Sequence, residues 1–243
     1  MSFGNLYDIA ADNDRFTTPI HRLGTNTDID IASGFEDIWD KGGTYNIPTA
    51  ARIHNIKSTS TSDDEGNVGA EKVYVCGLDA DYRMQTETVT MDGTTNSPTI
   101  NSYVFIDCLR VTQSNSGAND ATNVGNISAV AVTDSVTSCL ISAGNNQSMM
   151  TPLIVPEGKG GIVTGFYAME SSKGSARGSV RMTVRPLGEP EYTMVIAGWG
   201  PGTTVAQFGL PFKVPAKSLI KLSADTDTDN TQISAGYSII ALQ

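Results

Sequence analysis

Alternation of apolar and polar positions predicts β-strands along most of this chain. In the segment 179–186, Val180, Met182 and Val184 fall on one face and polar side chains on the other, which is the period of a half-buried strand. Asp92 and Gly93 form an Asp-Gly pair, a strong signal for a hairpin turn. Further strands are predicted at 72–79, 84–91, 101–111, 126–132, 138–143, 161–170, 192–198, 203–215, 218–225 and 232–242.

Composition supports the same fold class. The 243 residues include 27 Thr, 22 Ser, 24 Gly and 15 Asn. Thr packs well on a pleated surface, and Gly and Asn accept turn conformations. Good helix formers are scarce, so a mostly helical protein is excluded. We therefore predict an all-β protein built from antiparallel, jelly-roll-like β-sandwich domains.

The pattern divides the chain into three parts. Residues 1–44 read as an irregular, extended N-terminal arm, residues 45–150 as one β-sandwich domain and residues 151–243 as a second, jelly-roll-like domain. The arm carries apolar residues that need a receiving surface, either on its own domain or on a neighbouring subunit. Phe35 and Trp39 are the expected anchors. Trp199, in a glycine-rich connection, is expected to cover an end of the sandwich or an interface.

Charge and apolar run length exclude several partners. The net charge is −10, and without a Lys/Arg cluster the chain is a poor candidate for binding nucleic acid. No run of roughly 18 apolar residues predicts a membrane span, and the start of the chain has no signal-peptide pattern.

Three widely spaced cysteines are expected to be half-buried strand thiols in a chain made in a reducing cytosol. They are Cys76, Cys108 and Cys139.

Residues for catalysis or metal binding are few. A nucleophilic triad needs a histidine, and the candidates are His21 and His54, with no GxSxG motif. We expect no enzyme activity and no cofactor. Three alternating carboxylates are a weak calcium candidate, but the EF-hand glycine and glutamate are missing, so a solvated loop tip is the preferred interpretation. They are Asp225, Asp227 and Asp229. The segment 62–66 is predicted to be an acidic loop.

Two stretches resemble known proteins. Residues 71–111 contain G-L-D-A-D-Y and E-T-V-T-x-D-G-T-T. Residues 155–242 contain V-P-x-G-K, V-R-P, P-x-K-S and S-A-G-Y. This arrangement resembles virion structural proteins of tailed bacteriophages, especially marine ones.

The resemblance implies a particle component, made in the host cytoplasm and located in the virion. It would act through contacts with itself, as a homo-oligomer with a trimer favoured, and with other virion proteins such as the major capsid or tail proteins. Capsid decoration, a head fibre and a tail appendage all remain open. Two alternatives also remain: a carbohydrate-binding, adhesin-like β-sandwich of a fibre, suggested by polar loops at 112–125 and 171–178, and a polysaccharide hydrolase, suggested only by the many aspartates.

Overall fold

A computed structural model describes residues 17–114, 121–158, 160–171, 174–200 and 203–242 of the chain. This part is almost entirely β-structure, with one short 3-10 turn at Ile31–Ser33 and no helix long and apolar enough to cross a membrane. The all-β prediction is confirmed. The strands are β1 (Thr17–Ile29), β2 (Glu36–Asp37), β3 (His54–Ser58), β4 (Ala70–Leu78), β5 (Met84–Thr90), β6 (Ser97–Pro98), β7 (Phe105–Ser114), β8 (Ile127–Ala131), β9 (Thr137–Ile141), β10 (Leu153–Ile154), β11 (Gly160–Glu170), β12 (Gly178–Arg185), β13 (Tyr192–Trp199), β14 (Thr203–Val214), β15 (Leu219–Ala224) and β16 (Thr231–Leu242).

The chain folds into two compact units. One unit combines the chain up to Thr44 with the chain from Met150 onward, and we call it the terminal unit. The other is Tyr45–Met149, the central unit. The central unit is thus inserted between two segments that fold together.

The terminal unit is an antiparallel β-sandwich. One sheet has the order β1-β16-β11-β14, and the other has the order β10-β15-β12-β13 with β2 added on β15. Val180, Met182 and Val184 lie in the core and are fully buried, as their alternation predicts. Both sheets contribute to this core, β11 and β16 through Val163, Phe166 and Tyr237. Burial of each such side chain stabilises the fold by about 1.5–3 kcal/mol.

The arm prediction is wrong for the described part of residues 1–44. Residues Thr17–Ile29 form β1, which pairs with β16 from Thr17–Leu242 to Ile29–Thr231, with one irregularity after Asn26. Ile29 and Ile38 are fully buried in the core of the same unit. The buried face of β1 carries Gly24 and Asn26 in place of large apolar residues, so apolar alternation does not reveal this strand. The final strand, β16, is central in its sheet because β1 covers one of its edges.

Gly24 shows how closely β1 packs. A Cβ atom at this position would lie 2.6 Å from both the Ile38 carbonyl oxygen and the Thr151 nitrogen. Both atoms belong to backbone and cannot rotate away, so only glycine fits there. The N-terminal strand is therefore an integral part of the terminal unit.

The central unit contains two further antiparallel sheets, with the orders β6-β3-β8-β9 and β5-β4-β7. The residue pair Asp92–Gly93 does form a turn, and Gly93 has a φ of +54°. The hairpin prediction is wrong, because β5 pairs with β4 and the chain after the turn enters β6, which pairs with β3. The Gly93 nitrogen bonds the Asp63 carbonyl instead, so the turn is held by the loop that follows β3.

Candidate functional site

Asp63 is a buried residue of the central unit whose carboxylate accepts four hydrogen bonds. Its Oδ1 accepts hydrogen bonds from the backbone nitrogens of Ala70 and Val124, each at 2.8 Å. Its Oδ2 accepts from the Gly125 nitrogen at 2.8 Å and from the Ser58 hydroxyl at 2.5 Å. The residue is fully buried. The predicted solvated acidic loop at 62–66 is therefore wrong at this position, where the carboxylate ties three chain segments together.

Asp37 and Lys221 form a buried ion pair in the terminal unit. The Lys221 Nζ lies 3.0 Å from Asp37 Oδ2 and 3.4 Å from Glu191 Oε2. The Ser223 hydroxyl donates to Asp37 Oδ1 at 2.6 Å. Asp37 and Lys221 are only 3% and 8% exposed. This pair fixes the two-residue strand β2 against β15, because a buried charge needs a partner.

Glu36, the neighbour of Asp37, holds the turn that follows β2. Its Oε2 accepts from the Gly43 nitrogen at 2.8 Å. Its two carboxylate oxygens also accept from the Asp30 nitrogen at 3.4 Å and from the Asn26 amide at 3.5 Å. Glu36 thus orders the segment between β1 and Thr44, whereas the carboxylate of Asp37 accepts from Lys221 and Ser223 of β15.

His54 lies in β3 with its ring fully buried. Its Nδ1 is 2.9 Å from the Arg52 carbonyl and its Nε2 is 2.8 Å from the Ser138 hydroxyl. A carbonyl only accepts, so Nδ1 carries the proton and Nε2 accepts from Ser138. Burial lowers the pKa of His54 to about 4, although the Arg52 carbonyl and the charge of Asp134 oppose this shift.

The His54–Ser138 pair has the contact distance of a serine activated by a histidine. Both residues are 0% exposed, so a substrate has no access to the hydroxyl in this structure. The chemistry that the pair performs here is to satisfy buried polar groups. The other histidine, His21, lies on the exposed side of β1 and contacts the Ser238 hydroxyl at 2.9 Å.

The three carboxylates of the acidic run each bond a different backbone nitrogen. Asp225 accepts from Ser179, Asp227 accepts from Arg177 at 2.9 Å, and Asp229 accepts from Ile31 at 2.9 Å. Within the described ranges, no group of three or more His, Cys, Asp or Glu residues could hold a metal ion. The bond from Arg177 lowers the pKa of the exposed Asp227 carboxyl. The run fastens the start of β12 and the 3-10 turn to the loop before β16.

The three predicted interface residues lie in the terminal unit. Trp39 is 2% exposed and Trp199, a member of the sandwich core, is 4% exposed. Phe35 is half-buried, and the Arg181 guanidinium carbon lies 4.1 Å from the centre of its ring. An intersubunit role for these residues stays a prediction. Of the three, Phe35 retains the most accessible ring.

Large apolar side chains are exposed on the hairpin of β12 and β13. Leu187 in its turn is 57% exposed, and Tyr192 and Ile196 on β13 are 45% and 58% exposed. In the described strand order, β13 is the last strand of its sheet. Edge strands with apolar side chains are prone to pair with another chain. We call Leu187, Tyr192 and Ile196 the hairpin surface.

Sequence patterns gave no sign of the main polar contacts. Asp63, Lys221 and Ser138 have no motif around them, and each bonds a distant residue, 62, 184 and 84 positions away respectively. The available signal was weak: a lysine or aspartate inside or beside an apolar strand needs a partner if it is buried. The sequence does not say where that partner lies.

Comparison with known proteins identifies no family for this chain. No family model matches this chain, and none of the curated proteins matches it significantly. A solved structure, the crystal structure of the infectious bursal disease virus VP2 subviral particle, aligns with 97% of this chain and 76% of its own chain. The identity is 10% and the TM-score is 0.19. A TM-score of this size carries no argument about fold or function.

Proposed function

We propose that the chain is a structural component of a bacteriophage particle that acts through protein–protein contacts. In this role it would decorate or stabilise the capsid, or form part of a head or tail appendage. The proposal includes a homo-oligomer, with a trimer favoured, in contact with other virion proteins such as the major capsid or tail proteins. It does not include catalysis.

The observation that carries the proposal is the contrast between the polar groups and the hairpin surface. The carboxylates of Asp63 and Asp37, the imidazole of His54 and the ammonium of Lys221 are buried and bonded to other groups of the chain. Apolar side chains are instead exposed on the edge strand β13. Exposed apolar surface of this kind marks protein contacts. The sequence resemblance to virion structural proteins supports the same class of function.

The hairpin surface is proposed as a contact between copies of the chain. Tyr and Ile side chains on an edge strand offer apolar area and main-chain groups to a neighbouring copy of the chain. The net charge of −10 disfavours a nucleic-acid partner.

Two measurements test the proposal. The oligomeric state of the purified chain is measured by light scattering at micromolar concentration, and purified particles of the phage that encodes the chain are searched for it by mass spectrometry. We expect an oligomer and its presence in particles. A stable monomer that is absent from particles would overturn the proposal.

A pair of matched variants tests the surface. The double substitution Leu187→Lys and Ile196→Lys is expected to give a folded monomer. The control Val68→Lys and Val132→Lys changes two valines of the central unit that are 69% and 52% exposed, and it is expected to leave the oligomer intact. If both doubles remain oligomers, the hairpin surface is not the contact.

A further inference from the structure

Cys76 and Cys108 are direct cross-strand neighbours in the central unit. Strand β4 pairs with β7 in antiparallel register, with Cys76 opposite Cys108 and Tyr74 opposite Arg110. Directly opposed residues project their side chains from the same face of a sheet. The guanidinium carbon of Arg110 lies 5.5 Å from the centre of the Tyr74 ring. The neighbouring opposed pair therefore has its side chains in contact across β4 and β7 on the same face.

The main-chain hydrogen bonds of β7 show that Cys76 and Cys108 are a hydrogen-bonded opposed pair. The Leu109 carbonyl accepts from the Ser148 nitrogen at 3.0 Å, and the Val111 nitrogen donates to the Asn146 carbonyl at 2.8 Å. The N–H and C=O groups of Leu109 and Val111 therefore point away from β4. The N–H and C=O groups of the alternate residue Cys108 point toward β4. In a regular antiparallel ladder, opposed residues of this type have Cα atoms about 5.5 Å apart. This is close to the usual Cα separation in a disulfide.

The direction of the Cys76 side chain agrees with this geometry. The register shifts by one residue next to Cys76, where Asp107 is the extra residue on β7. The Cys76 Sγ lies 4.0 Å from Asp107 Oδ2, so the thiol points toward β7. Cys76 is 8% exposed and Cys108 is half-buried, which leaves Cys108 as the thiol more accessible to solvent.

We propose that Cys76 and Cys108 form a disulfide when the folded chain meets a small-molecule disulfide such as oxidised glutathione. The Cys108 thiolate attacks one glutathione sulfur, and the first glutathione leaves as a thiolate. The Cys76 thiolate then attacks the Cys108 sulfur, the cross-strand S–S bond forms and the second glutathione leaves. The two cysteine protons end on the two released glutathione thiols, and one glutathione disulfide is reduced for each protein disulfide formed.

The disulfide would link β4 to β7 covalently under oxidising conditions only. In a reducing cytosol both thiols are retained. In an oxidising solution the bond would join the two strands at the centre and edge of the three-stranded sheet β5-β4-β7. This inference does not depend on the proposed particle function, because it concerns only the register of β4 and β7.

The third cysteine is an internal control. Cys139 lies in β9 opposite Ala129 and is fully buried. Its cross-strand neighbour therefore offers no sulfur. A disulfide that forms because of the native register must exclude Cys139.

The experiment uses the full chain, purified under reducing conditions and then incubated without denaturant in oxidised glutathione. Remaining thiols are alkylated, and the protein is digested and mapped by mass spectrometry. We expect the three thiols to fall to one and a cross-linked peptide to join Cys76 with Cys108. The thermal midpoint of the oxidised protein should rise and return to its starting value after reduction.

Variants and a denatured sample complete the test. Cys139→Ser is expected to form the same disulfide, and Cys108→Ser is expected to form no intramolecular disulfide. Oxidation of the wild type in urea should give a mixture that includes Cys139, which shows that the native selectivity comes from the fold. Three alkylated thiols after native oxidation, glutathione adducts alone, or a cross-link to Cys139 would each overturn the proposal.

Discussion

Lys221 and Asp37 lie 184 positions apart in the sequence, and their side chains form an ion pair of 3.0 Å within the terminal unit. The pair joins β15 to β2, a strand of only two residues. A strand this short has few hydrogen bonds and little apolar area of its own. Its position therefore depends on the charge that it brings next to Lys221.

We expect loss of either partner of this pair to be strongly destabilising. In Asp37→Ala the Lys221 ammonium remains almost fully covered and keeps only the longer contact with the more exposed Glu191, at 3.4 Å. Removing one partner of a buried ion pair typically costs about 3–5 kcal/mol. The free energy of unfolding measured in urea should fall by this amount for the terminal unit. A matched control is Asp81→Ala, because the Asp81–Arg83 pair is 67% and 66% exposed, and no measurable change is expected there.

The double variant Asp37→Leu and Lys221→Met separates pairing from packing. It removes both charges and keeps the volume, so it should recover most of the stability that either single change loses. If the double variant is as unstable as the sum of the singles, the pair does not interact. The prediction would then be contradicted.

Asp63→Asn should destabilise the central unit. The fully buried carboxylate accepts four hydrogen bonds, and an amide would place its NH₂ group against two of these donors. Hydrogen bonds to a charged group are each worth about 1.5–3 kcal/mol, so we expect a loss of about 3 kcal/mol or more in urea unfolding. The adjacent Asp64→Asn is the control, because Asp64 is partly exposed and its carboxylate accepts from the Asn67 amide at 3.3 Å. Equal effects of the two changes would contradict the proposed role of Asp63.

Most strands could be predicted from the sequence, but the buried polar contacts could not. Val180, Met182 and Val184 are predicted correctly because burial on one face of a strand imposes a local period on the chain. β1 is missed because Gly24 and Asn26 occupy buried positions where an apolar residue would have marked the strand. Asp63 and the Lys221–Asp37 pair are missed because their partners are brought together by the topology. No local pattern records which distant residue will lie opposite.

His54 should make the stability of the central unit depend on pH. Its pKa is about 4 in the folded state, against about 6.5 in an unfolded chain. Between these values the unfolded state binds more protons, so stability is complete above about pH 6.5 and falls as the pH is lowered. The loss levels off near pH 4, where the folded state also takes up the proton, at a total of about 3 kcal/mol.

Urea unfolding of the wild type and His54→Gln over this pH range measures the effect. The variant should be less stable at neutral pH, and its stability should show a smaller slope with pH. His21→Gln, a change on the exposed side of β1, should keep the wild-type slope. If the His54 ring signals titrate near pH 6.5 in nuclear magnetic resonance spectra of the folded protein, the prediction is wrong.

The last prediction concerns the first strand. β1 pairs with β16 over most of its length, and its Ile29 is fully buried in the sandwich core. Backbone amides of residues 20–26 that bond to β16 should therefore exchange hydrogen as slowly in the isolated chain as the amides of β16 itself. Deleting the chain before Asp30 would expose the β16 edge and remove Ile29 from the core, so the terminal unit should unfold while the central unit keeps its own transition. Fast exchange of β1 in a monomer, together with a truncated chain in which both units still unfold cooperatively, would show that the strand is ordered only on assembly.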